Sequence, residues 1–497
     1  MRTRQALVLA LSASAVAVPL LHAPATASPG AAPPALTWQP CAKPGGPAGQ
    51  ECAELPVPLD YRDPDGPRLT IAVSRLRSER PSARRGTLIV IPGGPGASGV
   101  QRLTQKGNAL SAALDGAYDI VSMDPRGVGG STKASCDLDE DDRHLVNIKS
   151  WPGPGGDLTE NVARARRTAA ACDRNGGGVL RSFTTLNEAR DIDLFRRALG
   201  EERLSAWSTS YGAYVAAVYA QKYPGHTDRW VLDSSNDPDP ERVARGWLAN
   251  WAQATDDRFP DFAAWAADPA RESEGLRLSE RAGDVRPLFL DLAARLDRAP
   301  KESTTAGVPL TGNRLRQSMH NALSSDTAFP SLARLVKQAL DPKATPVLTP
   351  DVAGPLPNED AAVATAVVCN DVRWPRKSLS AYERAVAIDR ARHPLTAGMP
   401  QSIWGCAFWD APAEQPTRIT DDGPSNILMV QNRRDPATPH FAGLKMRQAL
   451  GDRARFVTVE SGGHGVYLGT GNSCGDRTVT GFLTTGHRPH HDTTCAA

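Results

Sequence analysis

At 497 residues the chain exceeds a single minimal domain, so its length allows two or three domains or one large fold carrying an insertion. Its 40% hydrophobic and 23% charged residues are those of an ordinary globular protein that can bury a large core. The 57 basic and 55 acidic residues leave a formal charge of +2, which removes any electrostatic reason to expect nucleic acid or an anionic surface as partner.

The chain opens with Arg2 and Arg4, an apolar run of 16 residues from Ala6 to Leu21, and the small-residue stretch "APATA". This order predicts a cleavable secretory leader over residues 1–27, cut after Ala27, because the run falls short of the roughly 20 residues that span a bilayer. No cysteine flanks the cut and the arginines are not adjacent, so neither a lipoprotein anchor nor the twin-arginine route is expected. The mature protein is expected to be extracellular and free of the membrane, with no oligomeric state beyond a monomer indicated. Eight cysteines, Cys41, Cys52, Cys136, Cys172, Cys369, Cys406, Cys474 and Cys495, fit an oxidising compartment, and none has the Cys-x-x-Cys spacing of structural zinc. Their near-neighbour pattern suggests four local staples: Cys41–Cys52, Cys136–Cys172, Cys369–Cys406 and Cys474–Cys495.

Residues 28–56 are rich in Pro, Gly and Ala and read as a mobile N-terminal segment. From residue 57 the texture changes. "LTIAVSRLR" alternates as a strand does, and "GTLIVIPGGPG" is a buried apolar strand running into a glycine-rich loop. "YDIVSMDPRG" repeats that design. "SFTTLNEARDIDLFRRALG" is helical with Gly200 as its C-terminal stop, "RLSAWSTSYGAYVAAVYAQKYP" reads as strand, sharp turn and helix, and "TDRWVLDSSNDP" is a further strand. After residue 239 the alternation ceases. Residues 240–420 are helical stretches broken by Pro and Gly and hold six of the ten tryptophans. "NILMVQNRRDPATP" and "ARFVTVESGGHG" then restore the strand-and-loop pattern. The order predicts a mostly parallel α/β sheet flanked by helices, with core residues 57–239 and 421–497 and a helical cap inserted over 240–420.

The chemistry concentrates at the ends of predicted strands. In "STSYG", Ser210 has small residues two positions before and two after, as a nucleophile on a sharp strand-to-helix turn requires. Gly212 meets that demand fully, whereas Ser208 is small but carries a Cβ. Alone, the pentapeptide is equally well a serine capping a helix. The loop "IPGGPGASG" supplies a second element: the N–H of Gly94, with that of Tyr211, is placed to stabilise an oxyanion. It lacks the Gly-Lys-Ser/Thr ending of a phosphate loop. Asp435 in "QNRRDPATP" and His464 in "SGGHG" each follow a strand, so Ser210, Asp435 and His464 stand in the chain order of a Ser-Asp-His triad at one sheet edge. "DPRGVGGS" reads as architectural, and "HRPHH" near the C-terminus as a solvated tail.

On "IPGGPGASG", "DPRGVGGS", "TTLNEARDIDLFRRALG", "STSYGAY", "CNDVRWP", "RRDPATP" and "SGGHG", the sequence resembles the secreted actinobacterial tripeptidyl aminopeptidases, α/β-hydrolase serine peptidases related to prolyl aminopeptidases. The resemblance runs from about residue 60 to 475, and the last segment, with Cys474, resembles that group's C-terminal part. It implies Ser210 as nucleophile, Asp435 as acid and His464 as base, a peptide substrate, and no metal or organic cofactor. Ser208 departs from the family's usual glycine. A secreted carboxylesterase would use the same triad, because both reactions pass through an acyl-serine. An aminopeptidase also needs a group for the substrate's ammonium. Asp371 in "CNDVRWP", beside Trp374, is the candidate, against the alternatives of capping a helix or pairing with Arg373 or Arg376.

Overall fold

The computed structural model describes residues 34–41, 45–242, 245–410 and 412–497. The leader expected over 1–27 lies outside the described residues. A sheet of ten strands organises the chain: β1 (Gln39–Pro40), β2 (Gln50–Pro58), β3 (Arg68–Leu76), β4 (Gly86–Ile91), β5 (Tyr118–Met123), β6 (Leu204–Thr209), β7 (Thr227–Asp233), β8 (Ile427–Arg434), β9 (Ala454–Gly462) and β10 (Thr493–Cys495). Their spatial order is β1-β2-β3-β5-β4-β6-β7-β8-β9-β10. The pairs from β5–β4 through β9–β10 are parallel, while β1, β2 and β3 form an antiparallel edge that joins β5.

Both faces of this sheet are covered, which is why its strands read as apolar runs. Leu88 and Val90 of β4 bury into one cluster with Tyr118, Ile120, Trp207 and Val231. Ile89 and Ile91 point the other way, into a larger cluster with Ala206, Leu232 and Met429. That alternation is the period of two of an extended chain. Helix Thr185–Ala198 ends where the sequence reading stopped it, with Gly200 in the left-handed region at φ 75°.

The segment expected to be mobile over 28–56 is corrected in its last part. All nine residues of β2 pair with β3, and Leu55 and Val57 are fully buried. Its prolines hid the alternation of "ECAELPVP". The "HRPHH" segment is likewise no free tail: Arg488 donates to the carbonyls of Ile427 and Arg453, and the chain continues into β10 beside β9.

β7 and β8 are neighbours in the sheet, with residues 234–426 running out and back between them. Helices Arg245–Ala267, Ala282–Arg298, Gly312–Ala322 and Phe329–Leu340 enclose their own core of Phe259, Phe262, Phe289, Leu315, Met319 and Phe329. Helix Asn358–Asn370 instead buries Ala361, Val363 and Val367 in the larger sheet cluster. Disulfides join Cys41 to Cys52, Cys136 to Cys172, Cys369 to Cys406 and Cys474 to Cys495. Among the described residues no helix is long and apolar enough to cross a membrane. This is the α/β-hydrolase fold.

Candidate active site

Ser210 sits between β6 and helix Tyr211–Lys222 with φ 63° and ψ −126°, a conformation that a residue with a side chain adopts only when its surroundings impose it. The turn is tight on one side and not on the other. A Cβ added to Gly212 would lie 2.3 Å from the Pro92 carbonyl oxygen and 2.5 Å from that of Ile91. Ser208, by contrast, is accommodated: its hydroxyl donates to the Val231 carbonyl at 2.7 Å.

The loop after β4 runs against the serine. A Cβ on Gly93 would come within 2.9 Å of Ser210 Cβ, and Gly94 has φ 114° with no room for a side chain before Gly96. Tyr211 is the first helical residue, so its N–H has no intrahelical acceptor.

Asp435 and His464 meet directly. His464 Nδ1 lies 2.9 Å from Asp435 Oδ2 and 3.0 Å from Oδ1. The fully buried carboxylate also accepts the backbone N–H groups of Ala437 and Thr438 and the Thr438 hydroxyl, at 2.8 to 2.9 Å. Burial works against the charged form of His464, but the charge and hydrogen bond of Asp435 outweigh it, and Asp233 adds in the same sense. The imidazole is thereby held above its usual range.

A residue that the sequence reading passed over links the two halves. The Asp233 carbonyl, at the end of β7, accepts the Ser210 N–H at 2.9 Å. Its carboxylate accepts the N–H groups of Val466 and Tyr467, both at 2.8 Å, with the Ser234 hydroxyl and the Trp207 indole N–H completing it. Ser234 Oγ in turn accepts the Gly465 N–H at 3.0 Å. One fully buried residue therefore fixes the serine turn and the histidine loop to a common strand end. Only the position of Asp233 at a strand end, shared with the other three residues, could have flagged it.

Asp371 holds the start of helix Thr185–Ala198: its Oδ1 accepts the Thr185 N–H at 2.8 Å and its Oδ2 accepts the Thr185 hydroxyl, the helix-capping alternative to ammonium binding. Trp374 is partly buried, and its indole N–H points to the Val368 carbonyl at 3.4 Å. The free carboxyl nearby is Glu188, another residue missed from sequence. It lines a small pocket with Pro95, Gly96 and Tyr211, accepts the Tyr211 hydroxyl at 3.2 Å as its one side-chain hydrogen bond among the described residues, and is pushed up to about 8 by burial. Asp124 of "DPRGVGGS" accepts from the N–H groups of Val100 and Gly130, and Arg126 pairs with Asp191 through two bonds of 2.7 and 2.9 Å, so that loop is architectural.

Residues 394–495 match the family model described as "TAP-like protein". The chain is 33% identical over 476 residues to a tripeptidyl aminopeptidase of Streptomyces lividans, covering 93% of this chain and 86% of that one. It is 27% identical over 492 residues to the serine protease Hip1 of Mycobacterium tuberculosis, with 93% and 91% covered. It is also 28% identical over 464 residues to carboxylesterase B of Mycobacterium tuberculosis, with 90% and 86% covered.

Proposed function

This chain belongs to the tripeptidyl aminopeptidase family of serine hydrolases, and we propose that it is exported and removes short peptides, tripeptides by that kinship, from free N-termini. The observation that carries the reading is the strained Ser210 anchored on Asp233, the residue that also anchors the loop of His464.

In this reading His464 takes the proton of Ser210 through Nε2 as the hydroxyl attacks the scissile carbonyl. Asp435 holds the Nδ1–H tautomer and stabilises the imidazolium. The N–H groups of Gly94 and Tyr211 receive the developing oxyanion. His464 then returns its proton to the departing amine, and water repeats the sequence on the acyl-serine. Glu188 replaces Asp371 as the partner for the substrate ammonium, since no cation among the described residues pairs with it. The span of about 10 Å that three extended residues cover is the reach required between scissile carbonyl and amine. Four disulfides support export. The likeness to a carboxylesterase keeps simple acyl esters as the second reading.

The test uses tripeptide anilides with free and acetylated N-termini beside short acyl esters. The free-amine anilide is expected to be cleaved with the highest kcat/KM, and Ser210→Ala to lose about three or more orders of magnitude on it while remaining folded. Preference for the acetylated anilide or the ester would overturn the aminopeptidase reading, and near-normal turnover by Ser210→Ala would overturn the nucleophile.

A further inference from the structure

One cation beside this site has no anion. Lys149 ends a short turn that follows Leu145–Ile148, and its Nζ lies 4.5 Å above the ring of Trp251. Its three ammonium protons have no hydrogen-bond or ion-pair partner among the described residues, and burial alone pulls the group down to about 8 with no carboxylate opposing it. A face-on tryptophan returns about 0.5 to 2 kcal/mol. The residue is only partly buried, so the ammonium, which no protein anion holds among the described residues, is open to a ligand.

The neighbours of Lys149 tie it to the reaction centre. The indole N–H of Trp251 donates to the Ala437 carbonyl at 3.0 Å, two residues beyond Asp435. His320 packs against the indole with its ring centroid 5.0 Å away, and its buried Nδ1 has no hydrogen-bond partner among the described residues. Four residues further, the Ser324 carbonyl accepts the N–H of His464 at 2.8 Å. The helix of His320 ends at Ala322, two residues before that carbonyl, so its last turn abuts the histidine loop. The charge of His464 and that of Lys149 both act on it, after burial, to keep it neutral.

A general acid must lie beside the atom it protonates, so groups bordering His464 face the departing half of the substrate. Resting on the peptidase reading above, we propose that Lys149, with Trp251 and His320, forms a subsite for a carboxylate on the residue that follows the scissile bond. The chemistry is that of a single carboxylate: one ammonium point charge supplies donors for it, and a peptide's leaving half carries no other anion. That carboxylate is either the free C-terminus of a four-residue peptide or an Asp or Glu side chain in a longer one.

The experiment compares kcat/KM for a tetrapeptide acid, its C-terminal amide, and the amide carrying Asp at position four. A tripeptide anilide monitors folding and chemistry. The native enzyme is expected to favour a carboxylate-bearing substrate over the neutral amide by about tenfold, mostly through KM; the acid and the Asp amide tell the two carboxylate sources apart. Lys149→Met, which keeps an apolar stem over Trp251, should bring the ratio to about one, and Lys149→Arg should retain it. A native enzyme that cleaves the anilide yet treats acid, Asp amide and neutral amide alike overturns the subsite alone. So does a Lys149→Met variant that slows every substrate in proportion. Failure to cleave any peptide or anilide overturns the peptidase reading and the subsite with it.

Discussion

Replacing Asp233 by Asn tests whether one buried carboxylate holds the serine turn and the histidine loop together. The side chain is fully buried, and all four groups that approach it are donors: the Val466 and Tyr467 N–H groups at 2.8 Å, the Ser234 hydroxyl at 3.0 Å and the Trp207 indole at 3.4 Å. An amide of the same shape has one oxygen. In either orientation its NH₂ confronts one of the two backbone N–H groups. Hydrogen bonds to a charged acceptor contribute about 1.5 to 3 kcal/mol each, and a stranded buried donor costs about 1 to 3 kcal/mol, so a loss of about 2 to 4 kcal/mol in stability is expected. The clash displaces the segment that begins two residues after His464. A shift of about 1 Å in such a loop is worth about 100-fold in rate.

The charge makes a second, separable prediction. Asp233 favours the imidazolium of His464, adding to Asp435. Removing that anion lowers the histidine's pKa. Because the neutral imidazole is the working base, the acid limb of kcat/KM moves to lower pH even as kcat falls. The assay is a pH–rate profile on a free-amine anilide with thermal unfolding measured in parallel, and KM should change little. A kcat within about twofold of the native enzyme, with the acid limb unmoved, would refute the role. A limb that moved to higher pH would refute the electrostatic part.

In the native enzyme the pKa of His464 is raised above the usual value of about 6.5, so activity should be complete above that raised pKa and fall as pH drops through it; a limb below about 6 would contradict the His464–Asp435 geometry. Gly212→Ala should destabilise the protein by at least about 1 to 3 kcal/mol through overpacking and sharply reduce activity, whereas Ser208→Gly should cost about 1 kcal/mol for its lost hydrogen bond, both read from denaturant unfolding. Under denaturing, non-reducing conditions thiol titration should find no free cysteine, and the Cys369→Ala, Cys406→Ala pair should lower stability by about 3 to 4 kcal/mol for a loop of that length; appreciable free thiol would contradict the four pairings.

What the sequence could disclose follows from what each element must satisfy locally. β4 and the first half of β8 are buried on both faces, so each shows an uninterrupted apolar run, LIVI and ILMV, while the other central strands show shorter ones such as WVL in β7 and FV in β9. β2 was obscured by Pro56 and Pro58 beside a Pro- and Gly-rich stretch, although it pairs along its whole length. Helix Thr159–Arg181 buries mainly Ala165, Ala169, Ala171 and Cys172 and contains three consecutive glycines, which leaves little apolar periodicity to detect. Ser210, Asp435 and His464 stood out as candidates because each is the first reactive side chain past a strand. The contact of Asp371 with Thr185 was not legible, because Thr185 lies far away in the chain and becomes a neighbour only when helices Asn358–Asn370 and Thr185–Ala198 come together.

The same contrast explains the imperfect pentapeptide around Ser210. A glycine is demanded two residues after the serine because the incoming helix crosses the carbonyls of Ile91 and Pro92, and a Cβ there would meet both. Two residues before the serine the backbone still belongs to β6, where Ser208 pairs with Leu232 and its side chain faces the neighbouring strand. A hydroxyl at that place finds a carbonyl within 2.7 Å, so the side chain that departs from the motif is satisfied rather than tolerated. The serine turn depends on Gly212 for clearance and on Asp233 for anchorage. Its tightness lies on the helix side alone, where the sequence does place a glycine.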